Sequence, residues 1–266
     1  MTWLLRKLTL TVCLGALAAA GCAAPVLPVR AQVDGIVVHG EMDGSQAGEM
    51  ARAGAETVRD ICATLGLALP TQPVDLHAFE WSWQRLRFLL ARCPSQTFAR
   101  AACFSSGDDI TIAMTRESDR QELLRLVRHE TTHYVLDVYY VALPPWVQEG
   151  LARYFELGPP YGAANPDALD RVLSEARAGK GGALDDLVRT PFGEGLSRRD
   201  YARSWALVGC ILKDLPDGPA RLRRYMERVM PQQDAAAQFQ EAFGAPPSGM
   251  TAAWRAYILR LAPPER

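Results

Sequence analysis

The sequence predicts an α+β fold in which a small mixed sheet is laid down first and a helical half follows. Three observations carry this. Two short strand-like segments, GIVVHGEM (35–42) and PVDLHAFE (73–80), are separated by a stretch of helical periodicity. A hairpin-like segment follows, TFARAACFSSGDDITIAMT (97–115), with Ser-Gly-Asp at its turn. From residue 118 onward, apolar positions recur at helical spacing almost to the end of the chain.

Each element has a local reason. In GEMARAGAETVRDICATLGL (48–67), Met50, Ala53, Val58, Ile61 and Leu65 fall on or near one stripe, the face of an amphipathic helix. SWQRLRFLLARC (82–93) reads as a second helix, with Trp81, Trp83 and Phe88 assigned to the core. In ESDRQELLRLVRHETTHYVLDVYYVAL (117–143), Ser118 and Gln121 have capping-box spacing, and Pro144-Pro145 ends the segment. Further helices are expected near 145–157, 165–178, 198–214, 219–230, 233–243 and 248–262. Gly- and Pro-rich loops such as LGPPYGAANP and AGKGG separate them.

The 266 residues carry a net charge of −1, which points to a globular chain and gives no sign of a nucleic-acid partner. The N-terminus reads as a targeting segment. Arg6 and Lys7 precede the apolar run LTLTVCLGALAAAG, which is too short to span a bilayer. It ends in AAAGC, which resembles the lipobox of bacterial lipoproteins, with Ala19 in place of the usual leucine. That resemblance implies a signal peptide over 1–21 and lipidation at Cys22. With Ala23 next, it also implies the periplasmic face of the outer membrane. The alternative is an ordinary signal peptide cut near Ala20 or Ala24, giving a soluble periplasmic protein. Residues 22–34 read as a Pro-containing tether and 35–266 as one domain, with the sheet and a long helix in 35–143 and the helical half in 144–266.

Export permits disulfides. Four cysteines remain after Cys13 and Cys22: Cys62, Cys93, Cys103 and Cys210. Cys93 and Cys103 flank a short stretch and are the expected pair. The alternative for each is a small buried hydrophobe.

The chain has four histidines, and two of them stand four apart in HETTH (129–133). Residues four apart on a helix share a face, so His129 and His133 can both point at one ion. Glu130 lies about 100° away, poorly placed to ligate and well placed to reach a water on the metal. Two surface histidines on an amphipathic helix are the plain alternative. The scarcity of histidine argues against a chance pairing. His39 and His77 lie in strand-like segments and read as structural.

A catalytic zinc takes three protein ligands and an open position. One common arrangement would put glycine at 136 and a third histidine at 139, where this chain has Leu136 and Tyr139; the other common solution is a carboxylate from a second helix. PPWVQEGLARYFE supplies Glu149, separated from His133 by fifteen residues and just past the Pro-Pro break. Gly150 would allow close approach to the first helix. Glu156 is the competitor, or a group behind the ligands. A glutamate in the first turn is also favoured by the helix dipole, which is compatible with ligation.

HETTH followed by PPWVQEGLARYFE resembles the gluzincins, above all the peptidase-MA-like domains of bacterial exported proteins. It is also similar to the W-x-x-E-G-x-A of the aminopeptidase N family. The likeness spans about 110–157, with a weaker echo at YARSWALV (201–208). It implies a zincin-like fold, Zn²⁺ as cofactor, His129, His133 and Glu149 as ligands, and Glu130 as catalytic base. It further implies Tyr201 as the oxyanion donor, where a tyrosine packed on its helix is the alternative. DDITIAMT (108–115) would be the edge strand lining the cleft. The gap between His133 and Glu149 is shorter than in the aminopeptidase N family. The Gly-x-Met-Glu-Asn motif of those exopeptidases is missing. The implied activity is that of a zinc endopeptidase acting on peptides or proteins. The alternative is a non-catalytic binding or assembly lipoprotein on the same scaffold.

Overall fold

The computed structural model describes residues 26–106, 109–162, 165–179 and 184–262. The segment read as a signal peptide (1–21) and the expected lipidation site Cys22 lie outside the described residues. Among those described, no helix is long and apolar enough to cross a membrane.

The fold is mixed α/β, built on one five-stranded sheet. Strands β1 (Val29–Val33) and β2 (Ile36–Gly40) form an antiparallel hairpin. Helix α1 (Gly44–Leu65) leads to β3 (Val74–Phe79), parallel to β2. Helix α2 (Ser82–Arg92) leads to β4 (Ala101–Ser106) and β5 (Asp109–Thr115). β5 inserts parallel to β3, and β4 lies antiparallel outside it, so the order is β1-β2-β3-β5-β4. The edge strand on this side is therefore β4, and the described part of DDITIAMT, Asp109–Thr115, is interior. The tether expected over 22–34 also ends early, because Val29–Val33 is β1. Asp34 and Gly35, at φ 45° and 84°, form the two-residue turn that pairs it with β2.

Alternation sorts the strand side chains onto two faces. Ile36, Val38, Val74, Leu76, Ala78, Ile110, Ile112 and Met114 face the main core with α1 and the next helix, α3 (Arg120–Tyr139). Phe79, Ala102, Phe104 and Ala113 face a smaller core under α2, with Phe88 and Leu89. Phe88 is buried as expected, but Trp81 and Trp83 are more than half exposed at the start of α2.

The helical half follows the expected pattern: α4 (Pro145–Phe155), α5 (Pro166–Arg177), α6 (Leu184–Val188), α7 (Arg198–Asp214), α8 (Gly218–Arg228), α9 (Ala235–Phe243) and α10 (Thr251–Leu261). Only the five-residue α6 was not anticipated. The N-cap of α3 is Asp119, whose side chain accepts from the Glu122 backbone N–H at 2.9 Å. The cap thus sits one residue beyond the expected Ser118/Gln121 pair. Burying Trp146, Trp205 and Trp254 locks α4, α7 and α10 into a continuous core.

The expected Cys93–Cys103 disulfide is not formed, and both thiols are free. The sheet explains why. Cys93 ends α2 and packs in the smaller core, whereas Cys103 alternates with Ala102 and Phe104 and points to the opposite face. The strand itself stands between the two sulfurs.

Candidate metal centre

His129 and His133 sit mid-way along α3, one turn apart, with rings at the floor of an open cleft of about 590 Å³. The wall on one side is the loop and strand from Gln96 to Cys103. The other wall is α4 with Tyr201 from α7. The sheet holds α3 from below through Leu123, Val127 and Val135, so the face carrying the histidines is left to the cleft.

Glu149 comes from the first turns of α4. Pro144 is the N-cap with extended backbone, and Pro145 occupies the first helical position, where its missing N–H costs nothing. Gly150 does permit a close approach, but to α7 and not to α3. A Cβ there would lie 2.8 Å from the Ser204 carbonyl oxygen and 2.6 Å from Val208 Cγ2. This contact sets how deeply Glu149 reaches.

The three groups form a nearly regular triangle. His129 Nε2 is 3.4 Å from His133 Nε2 and 3.5 Å from Glu149 Oε2, and His133 Nε2 is 3.8 Å from the same oxygen. These distances are long for hydrogen bonds. They suit three ligands at 2.0–2.1 Å on a tetrahedral ion, where neighbours stand about 3.3–3.4 Å apart. Glu149 Oε2 is buried and has no hydrogen-bond partner. A buried carboxylate oxygen left bare is costly, and two imidazoles with one carboxylate is a donor set for zinc. The residues fit the metal.

Behind the ligands stands a network. His129 Nδ1 meets Glu156 Oε2 at 3.1 Å. Glu156 Oε1 accepts from Arg125 at 2.6 and 3.0 Å, from Arg153 at 3.2 Å and from Asn165 Nδ2 at 2.6 Å. Glu156 is almost fully buried, so these donors are what make its charge tolerable. It is not a ligand. It holds the His129 ring by the nitrogen that faces away from the cleft.

Charge is arranged to serve this. Burial works against a charged Glu149, but His133, His129 and Arg153 outweigh it and lower its pKa. Burial likewise opposes a proton on His129, and Glu149 and Glu156 outweigh it and raise its pKa. Glu130 moves the other way. Burial raises its pKa, against the pull of His129 and His133 and a hydrogen bond from the Cys103 backbone. Tyr201 is pushed up to about 12, first by burial and then by the Glu149 charge, so its hydroxyl keeps its proton. The Arg153 guanidinium lies 5.5 Å over the Tyr201 ring and fixes its position.

All the sequence-predicted site residues within the described chain therefore converge, except the cysteine pair. Glu156 stands behind His129, the second of the two places expected for it, whereas Arg125 and Asn165 were not singled out, because their contacts depend on how α4 and α5 pack against α3. Asp137 lines the cleft and is exposed, 4.0 Å from the Cys103 thiol. No family model matches this chain, and no curated protein matches it either.

Proposed function

We propose that the protein is a zinc-dependent endopeptidase of the gluzincin type with a zincin-like fold, exported and lipid-anchored at Cys22 on the periplasmic face of the outer membrane. The observation that carries this reading is the triangle of His129, His133 and Glu149, whose buried Oε2 lies near both imidazoles without a hydrogen bond, with Glu130 beside it in an open cleft.

His129, His133 and Glu149 would hold the ion. Bound there, zinc would supply a Lewis acid to activate water and polarise the scissile carbonyl. Glu130, with its pKa raised by burial, takes a proton from the attacking water and hands it to the leaving amine. Tyr201, protonated and aimed at the cleft, donates to the developing oxyanion. β4 has one edge paired to β5 and the other toward the cleft, which suits an extended peptide lying along it.

The test is Glu130→Gln. The coordinating atoms are untouched, so the variant should keep one zinc in the cleft and the native fold. Cleavage of an unstructured protein such as casein should fall about 10²–10⁴-fold. Equal rates in variant and wild type would remove Glu130 as the base. A wild type that binds zinc in the cleft and cleaves nothing would favour a non-catalytic binding lipoprotein on this scaffold.

A further inference from the structure

The four histidines of the chain fall into two clusters, each a pair of imidazoles with one carboxylate. The first is the cleft triangle. The second is His39, Asp75 and His77, on the opposite face of the sheet, where one nitrogen or oxygen from each residue lies within 4.8 Å of the others. Strand pairing builds it. β2 and β3 run parallel with His39 opposite His77, and Asp75 precedes His77 by two positions, so all three side chains share a face.

The surroundings are only partly those of a packed aromatic ladder. His77 stacks on His39 with ring centroids 4.4 Å apart and lies 4.8 Å from the Phe88 ring. His39 Nε2 is 2.7 Å from Asp75 Oδ1, which orients that imidazole. His77 Nδ1, however, is buried with no hydrogen-bond partner. Packing explains the rings and leaves that nitrogen unaccounted for.

We propose that His39, Asp75 and His77 form a second metal site, for a first-row dication of the zinc type, tying β2 to β3 on the face away from the cleft. Two imidazoles and one carboxylate suit such an ion better than calcium or magnesium, which take oxygen ligands. The carboxylate supplies negative charge and stands with its side chain 46% exposed, which gives the ion a way in. Arg92, whose guanidinium lies 5.3 Å over the Phe88 ring, opposes it from beside His77. The imidazoles are within 9° of parallel, so one must turn about its Cβ–Cγ bond before both can point at one ion. That rearrangement makes this the weaker of the two sites, and binding should break the ring stack.

Zinc itself is the probe. Chelator-stripped full-length chain is dialysed against micromolar free zinc and its metal content measured, for wild type, Asp75→Asn, His39→Asn and a His129→Ala/His133→Ala variant. Two zinc ions per wild-type chain are expected, and one in each variant. Combining Asp75→Asn with the double alanine should leave none. Asp75→Asn keeps the side-chain shape, and circular dichroism confirms its fold. Histidine proton resonances add a second reading: in the double-alanine chain, zinc should shift those of His39 and His77. The proposal is overturned if Asp75→Asn and His39→Asn hold as much zinc as wild type, or if zinc leaves both resonances unmoved. It does not rest on the cleft. Were the double-alanine chain to bind as much zinc as wild type while His39→Asn bound none, the cleft reading would fail and this one would stand.

Discussion

Glu156 Oε2 stands 3.1 Å from His129 Nδ1, and the other oxygen of the same carboxylate is held by Arg125, Arg153 and Asn165. One buried carboxylate thus orients the His129 ring without joining the triangle of His129, His133 and Glu149. Replacing it should therefore weaken metal binding without abolishing it. Glu156→Gln is expected to lower zinc affinity at the cleft about 10–100-fold. Glu149→Ala should empty the cleft outright. Competition with a chelator separates the two, and equal zinc affinity in both variants would show that Glu149 is misassigned.

Gly150 is where α4 meets the Ser204 carbonyl of α7. Both neighbours are in helices, and the backbone oxygen cannot step aside. Gly150→Ala should lower stability by about 1–3 kcal/mol through overpacking. It should also displace Glu149, so zinc affinity should fall in a chain that still folds. Thermal melts with and without zinc read both effects, and an unchanged melt would mean that the two helices adjust freely.

Cys93 and Cys103 lie on opposite faces of the sheet. Protein recovered from an oxidising compartment should still carry both as thiols. Burial, with Asp137 and Glu130 close by, raises the Cys103 pKa well above its usual value, so it should alkylate far more slowly than Cys93. Peptide mapping after timed alkylation would measure this, and a recovered Cys93–Cys103 crosslinked peptide would contradict the sheet.

Tyr154 is buried on α4, and burial pushes its pKa up to about 12. The folded state then keeps a proton that the unfolded chain, titrating near 10, gives up. Its contribution is full below about pH 10 and is lost as pH rises toward about 12. The loss should reach about 2–3 kcal/mol. Tyr154→Phe should flatten the alkaline limb of the stability curve by that amount in urea titrations. Parallel curves for the two proteins would show that Tyr154 ionises without unfolding.

Much of the site was legible because it is local. His129 and His133 share a helix turn, and Pro144-Pro145 announces both the break and the start of α4. The long helices were legible for the same reason: their apolar stripes and proline or glycine boundaries are written in order along the chain. What was missed depends on register. Asp34-Gly35 is a hairpin signal, but its partner strand Val29–Val33, though it alternates, is only five residues long and follows Pro25 and Pro28, so it read as tether. β4 became the edge strand because β5 inserts between it and β3, which neither segment encodes alone. The Cys93–Cys103 pairing failed on a single alternation step. His39 and His77 are 38 positions apart, and only the parallel pairing of β2 and β3 makes them neighbours.

The close approach of α4 to α7 also bears on the order in which the triangle is assembled. His129 and His133 belong to a helix seated on the sheet, while Glu149 comes from α4, which packs on the later helix α7 at Gly150. A partly formed chain offers two imidazole nitrogens without the carboxylate. The full triangle is a product of the finished fold, so under the proposed zinc reading tight metal capture would report that the two halves have docked.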